Sequence, residues 1–286
     1  MDGNTAIIAH LGYPTASFTA PLIYNPFFAA RDINAAVVTM GVKAENFAGL
    51  LRPLFKLTNI RGALVTMPHK ISTVGLLDEV APAVEIAGCC NAILKRDDGS
   101  LFGQLFDGEG FVEALANEGF AVPGKRALIV GCGGMGSAIA AALASRQVGS
   151  LSLYDTQHRS ASALADRLAK HFPTLGIRPG HAEPEGHDLV VNASPLGLKD
   201  NDPLPLDVSR LSPAMTVSDV VLTRAMTPLL SAALAKGCSI VAGVDVLYEQ
   251  IPAHLAFFGF QPATSKELRE IVRDDMSWRA SPTPGH

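Results

Sequence analysis

The sequence predicts an α/β protein of two domains, each built on a mostly parallel sheet. Three observations point there. Short apolar runs alternate with longer segments of helical periodicity along the chain. The runs are bounded by Gly or Pro, as buried strands are. The length, 286 residues, exceeds the usual size of one domain.

Each element follows in order. Residues 5–11 read as a strand, and 26–40 carry apolar residues at helical spacing, with 37–40 opening a second strand. Residues 63–66 form another strand. A second α/β unit starts near Lys125, with a strand at 127–130, a glycine turn, an Ala-rich helix at 137–145 and a strand at 151–154 that ends at Asp155. A helix at 160–172 and strands at 188–192, 216–221 and 239–242 continue it. Helices at 246–258 and 265–276 come last and are expected to pack back on the first domain. The expected division is 1–107 for the first domain, 108–243 for the second, 244–276 for the returning helices and 277–286 for a loose tail.

Composition narrows the function. Hydrophobic residues make up 48% and charged residues 17%, enough for a large core and unlike a disordered chain. The net charge of −4 is spread without a basic block, which argues against nucleic acid. No apolar run reaches the roughly 18 residues of a membrane span. The N-terminus lacks a positive leader region, so a cytoplasmic location is expected. Cys89, Cys90, Cys132 and Cys238 show no metal-type spacing with His; reduced thiols and no metal site are expected. The expected partner is a small molecule, with a homodimer as the assembly to test.

Gly131, Gly133 and Gly136 fit G-x-G-x-x-G between a strand and a helix, the context that makes this pattern a dinucleotide turn. The first glycine permits the tight turn, the second lets the backbone approach a pyrophosphate, and the third allows close helix–strand packing. Cys132, Gly134 and Met135 complete the candidate loop. Asp155 ends the next strand, 24 residues after Gly131. A carboxylate there accepts ribose hydroxyls of NAD and repels the 2′-phosphate of NADP; it is also a good helix cap. His158 and Arg159 lie near enough to neutralise a phosphate, but Asp155 favours NAD over NADP.

Several further motifs occur in a fixed order. Gly62-Ala63-Leu64-Val65-Thr66-Met67-Pro68-His69-Lys70 resembles the G-x-N-V-T-x-P-x-K segment of shikimate and quinate dehydrogenases. Ala87-Gly88-Cys89-Cys90-Asn91-Ala92 is similar to their G-A-x-N-T, and Gly103-Gln104-Leu105-Phe106-Asp107-Gly108 to G-x-N-T-D-x. Asn192-Ala193-Ser194-Pro195-Leu196-Gly197 resembles N-A-T-S-x-G, and the stretch from Gly243 to Gln250 resembles G-x-x-M-L-x-x-Q. The match runs from about Ile8 to Phe258. It implies a substrate domain completed by the C-terminal helices and a dinucleotide domain inserted within it. It also implies Lys70 and Asp107 as the catalytic pair. Thr66, Asn91 and Gln250 would bond substrate hydroxyls, and Val220 and Gly243 would lie near the nicotinamide. The chemistry agrees: oxidising a secondary alcohol requires a proton transfer at its oxygen, which a lysine beside a carboxylate can perform.

The departures concern the substrate. The resemblance implies two serines that bind a carboxylate in an H-S-x-S-P stretch, but this chain reads Ser17-Phe18-Thr19-Ala20-Pro21. Leu64, Ala92, Leu105-Phe106 and Leu222 replace further polar positions. The expected substrate is therefore a less polar cyclic alcohol or ketone resting against Phe18 and Phe106. Two other readings are a methylenetetrahydrofolate dehydrogenase-like enzyme and a non-catalytic NAD-binding sensor.

Overall fold

A computed structural model describes residues 1–16 and 18–272. The tail expected at 277–286, and the last residues of the helix expected over 265–276, lie outside them. Along the chain, β1 (Ala6–Gly12), α1 (Pro21–Ala30), β2 (Ala35–Gly41), α2 (Ala44–Leu54), β3 (Ile60–Val65) and β4 (Glu79–Val80) come first. Then follow α3 (Pro82–Ala87), β5 (Ala92–Lys95), β6 (Leu101–Gln104), α4 (Asp107–Asn117), β7 (Arg126–Val130) and α5 (Gly134–Ser145). The remainder is β8 (Ser150–Tyr154), α6 (His158–His171), β9 (Gly176–Pro179), β10 (Leu189–Asn192), β11 (Thr216–Asp219), α7 (Pro228–Ala235), β12 (Ser239–Ala242), α8 (Gly243–Phe257) and α9 (Ser265–Val272).

The chain divides into two compact units. The first takes Met1–Val80, Cys90–Gln104 and the chain from Ile251. Its sheet runs β2-β1-β3-β5-β6-β4, with β1, β2 and β3 parallel and β5 antiparallel to both neighbours. Strand β1 is central and apolar, so its residues are buried on both faces, as a parallel core strand requires. Pro21 opens α1, where a missing N–H costs nothing, and the helix buries Ile23, Tyr24, Phe27 and Phe28. The C-terminal helix α9 packs on α1, fastened by the Arg31–Glu267 ion pair.

The second unit holds Ala81–Cys89 and Leu105–Gln250. Its six strands run β12-β11-β10-β7-β8-β9, all parallel. This is the doubly wound arrangement whose order reverses beside β7, the strand that feeds the glycine turn. Most elements lie within two or three residues of their sequence-expected limits. Helix α4 starts at Asp107, whose carboxylate suits its positive end. The segment expected to be helical from residue 26 forms its helix earlier, over Pro21–Ala30. One strand limit moves for a physical reason. The strand expected over 216–221 stops at Asp219, because the Asp219 carboxylate accepts the Val221 N–H at 3.2 Å and turns the chain.

Candidate active site

In the first unit, the loop after β3 carries Thr66 and Lys70. Its anchor is His69, which is buried, stacks on Phe47 at 4.0 Å and donates from Nε2 to the Val42 carbonyl at 2.8 Å. The Thr66 N–H donates to Leu11 O, and the Lys70 carbonyl accepts from the Cys90 N–H. Asn91 is next in the chain, buried, and joined through its backbone to Val65 and Gln104. The expected substrate residues Thr66, Lys70 and Asn91 are therefore held at one end of the sheet, where β3 stops and β5 begins.

Phe18 belongs to the same end. A Cβ on Gly12 would come within 2.7 Å of the Phe18 ring and 2.5 Å of the Thr66 methyl, so Gly12 makes room for both. The Phe18 ring stacks on His10 at 4.3 Å. Sequence reading passed over His10, His254 and Tyr24. The only signal for the first was one imidazole in the apolar run Ile7-Ile8-Ala9-His10-Leu11. Burial and the nearby Lys70 charge push His10 down to about 4. Burial, with Lys70 and His10 adding, pushes His254 to about 3. Both rings are neutral at pH 7, and His254 Nδ1 shares a 2.8 Å hydrogen bond with the Tyr24 hydroxyl.

The second unit builds the dinucleotide turn. Gly131 has φ 99°, a conformation that favours glycine, and a Cβ there would meet the Ala193–Ser194 backbone at 2.6 Å. A Cβ on Gly136 would fall 1.8 Å from the Gly131 carbonyl oxygen. Both glycines are demanded by the protein itself. Gly133 is not: a Cβ there meets no protein atom within 4 Å. Gly133 is the N-cap of α5, and no side chain caps that end. Gly133 thus stands open at the uncapped first turn, where a pyrophosphate would accept the free N–H groups. Gly134 and Met135 form that first turn, and the residues present thus fit a dinucleotide.

Asp155 is fixed beside the turn. One carboxylate oxygen accepts the Cys132 N–H at 2.7 Å and the other the Gln157 N–H at 2.8 Å. A carboxylate has about four acceptor positions, so roughly two remain for ribose hydroxyls. Burial and Asp155 push the Cys132 thiol up to about 12, which leaves it inert.

The far edge of this unit brings Val220 and Gly243 together: a Cβ on Gly243 would lie 2.7 Å from the Val220 carbonyl. Beneath them is Asp219, a buried carboxylate that sequence reading also missed. It accepts from Thr227 Oγ1 at 2.7 Å, Asn192 Nδ2 at 3.0 Å and the Val221 N–H. Burial raises its pKa against these three bonds. Asn192 also takes the Ser194 hydroxyl at 2.6 Å, so the 192–197 motif is one hydrogen-bonded turn. Asp107 and Phe106 start α4, both buried. That helix lies close to two others: a Cβ on Gly108 would strike Ala138 O at 2.3 Å, and one on Gly110 would strike Gln250 at 2.7 Å. Among the described residues no cluster of His, Cys, Asp and Glu is arranged to hold a metal ion.

Comparison with known proteins identifies the lineage. Residues 11–93 match the family model described as shikimate dehydrogenase substrate binding domain. The shikimate dehydrogenase (NADP(+)) of Moorella thermoacetica is 35% identical over 285 residues, covering 96% of this chain and 95% of that one. The crystal structure of a shikimate dehydrogenase in complex with NADP+ superimposes with a TM-score of 0.88 at 25% identity, covering 97% of this chain and 98% of that one. The quinate dehydrogenase of Corynebacterium glutamicum in complex with NAD gives 0.84 at 26%, covering 94% and 99%. The chain belongs to the shikimate dehydrogenase family of NAD(P)-dependent oxidoreductases.

Proposed function

We propose that this chain is a dehydrogenase that interconverts a ring secondary alcohol and its ketone, with NAD preferred over NADP. The observation that carries the reading is Gly133, a glycine the protein's own packing does not require, set at the uncapped end of α5 beside Asp155. Gly131, Cys132, Gly133, Gly134 and Met135 would hold the pyrophosphate, Asp155 the ribose, and Val220 and Gly243 the nicotinamide end. When bound, the dinucleotide supplies the hydride acceptor at C4 of its ring.

Lys70 is the proton-transfer residue at the substrate oxygen, and Asp107 orients the ammonium and bonds the reacting hydroxyl. Thr66, Asn91 and Gln250 bond other substrate oxygens. Phe18 and Phe106 supply apolar contact. The cofactor preference rests on Asp155. The Moorella relative is named for NADP(+) and the Corynebacterium structure holds NAD, so the family accommodates either.

Shikimate is expected to be a poor substrate, because Phe18 and Ala20 cannot replace two hydroxyls that pair a carboxylate. Steady-state assays with shikimate and quinate, each with NAD and NADP, test this. A kcat/KM on shikimate above about 10⁴ M⁻¹s⁻¹, an ordinary enzyme value, refutes it. NAD binding without turnover of any ring alcohol points instead to a sensor.

A further inference from the structure

Two of the lost polar positions of the first unit, Leu64 and Ala92, lie in one row. In register across the sheet, His10 of β1 pairs with Leu64 of β3, Leu64 with Ala92 of β5, and Ala92 with Gln104 of β6. Paired residues share a face of the sheet. Leu64 and Ala92 are two of the positions where the sequence departs from the family pattern, and they carry no hydrogen-bonding side chain. The polar side chains of that row stand on either side of them, His10 on β1 and Gln104 on β6, and His10 is the one next to Leu64.

His10 is placed to meet a ligand. It stacks under the Phe18 ring and lies two residues before Gly12, on the same side of β1, where Phe18 and Thr66 come together. His10 is only 8% exposed, and its buried Nδ1 has no hydrogen-bond partner among the described residues. Buried polar nitrogens are nearly always paired, so one left open beside candidate substrate residues signals a partner that arrives from outside.

We propose that His10 is a specificity-determining residue whose Nδ1 exchanges a hydrogen bond with an uncharged substrate oxygen, so that the site takes a neutral hydroxylated or keto ring rather than a carboxylate-bearing one. This rests on the dehydrogenase reading above. Burial and the Lys70 charge keep the ring neutral, so it acts as a single donor or acceptor and not as a cationic anchor. Leu64, Ala92 and Phe18 around it would leave a carboxylate desolvated and underpaired.

The test uses the full chain with saturating NAD, and in parallel NADP, on four probes: shikimate, quinate, cyclohexane-1,2-diol and myo-inositol. An uncharged ring alcohol is expected to exceed shikimate in kcat/KM by about tenfold or more. His10→Leu is expected to raise its KM by about tenfold with kcat little changed, the loss of one hydrogen bond. His10→Asn, which keeps a polar atom near the Nδ1 position, is expected to recover much of that loss. Dinucleotide Kd is expected to hold in both variants, and apo Tm is expected not to fall in His10→Leu, because that change removes a buried unpaired nitrogen. Should His10→Leu fail to fold, His10→Gln, which moves the polar atom by one bond, replaces it. Preference for shikimate or quinate overturns the proposal. So does an unchanged KM in the variants, or no turnover of any probe by a protein that binds NAD. Absence of dinucleotide binding is a separate outcome and removes the function reading itself.

Discussion

Two glycines of the same turn separate what folding needs from what binding needs. In Gly136→Ala the new Cβ would sit 1.8 Å from the Gly131 carbonyl oxygen and 2.9 Å from its carbon. That is roughly 1.6 Å inside ordinary contact, and both atoms are backbone, so no side chain can swing away. Relief means displacing Gly131–Cys132, which also strains the Cys132–Asp155 bond. Overpacking of this kind costs about 3 kcal/mol, or roughly 6–12 °C in Tm for a chain of this size. In Gly133→Ala the Cβ meets no protein atom, and φ −75°, ψ −162° suits alanine. Its two stability effects, a weaker cap and a stiffer unfolded chain, are each about 0.5 kcal/mol and oppose one another. Dinucleotide affinity, however, is expected to fall about tenfold or more, because the methyl projects where backbone must approach a pyrophosphate. Thermal denaturation of the apo protein and NADH fluorescence titration measure the two quantities. Gly136→Ala with unchanged Tm, or Gly133→Ala with unchanged NADH affinity, refutes the reasoning.

Four further outcomes are expected. Lys70→Ala lowers kcat/KM on any accepted alcohol by about 10²–10⁴ while NADH binding stays intact, measured by NADH absorbance and titration. Asp155→Ser shifts the NADP-to-NAD ratio of kcat/KM upward by about tenfold or more, through loss of the charge that opposes a 2′-phosphate. Asp219→Ala strands the donors of Asn192, Thr227 and Val221 and costs about 3 kcal/mol in urea denaturation. His10 and His254 titrate near 4 and 3 in the folded state, below an unfolded histidine, so protonation favours unfolding. These groups leave stability independent of pH above about 6.5 and lower it as pH falls toward 4, by ~3 kcal/mol for His10 alone. Tm measured against pH is expected to fall over that window, less steeply in His254→Asn, which keeps a polar atom for Tyr24.

The second unit was the more legible half. Its turn chemistry is local: Gly131, Gly133 and Gly136 lie within six residues, and Asp155 ends the very next strand. Periodicity placed its strands because buried parallel strands are unbroken apolar runs. The site of the first unit is non-local. His10, Tyr24, Lys70 and His254 come from β1, α1, the loop after β3 and α8, and only the sheet register brings His10 beside Leu64. A single imidazole inside an apolar strand reads as an interruption until its neighbours are known. Short strands such as β4, β5 and β6 escaped notice because two to four residues carry too little periodicity. Asp219 was hidden for another reason: at the end of a strand, a carboxylate caps turns far more often than it organises a buried network.

The backbone-close packing of Gly108 on Ala138 has a consequence of timing. Asp107 opens α4, and Ala138 lies one turn into α5, the helix whose first residues form the dinucleotide turn. With only the Ala142 methyl beside this backbone contact, the two helices have little compressible layer through which one could slip past the other. The carboxylate is therefore set in the frame of the glycine turn when the chain folds, before any ligand arrives.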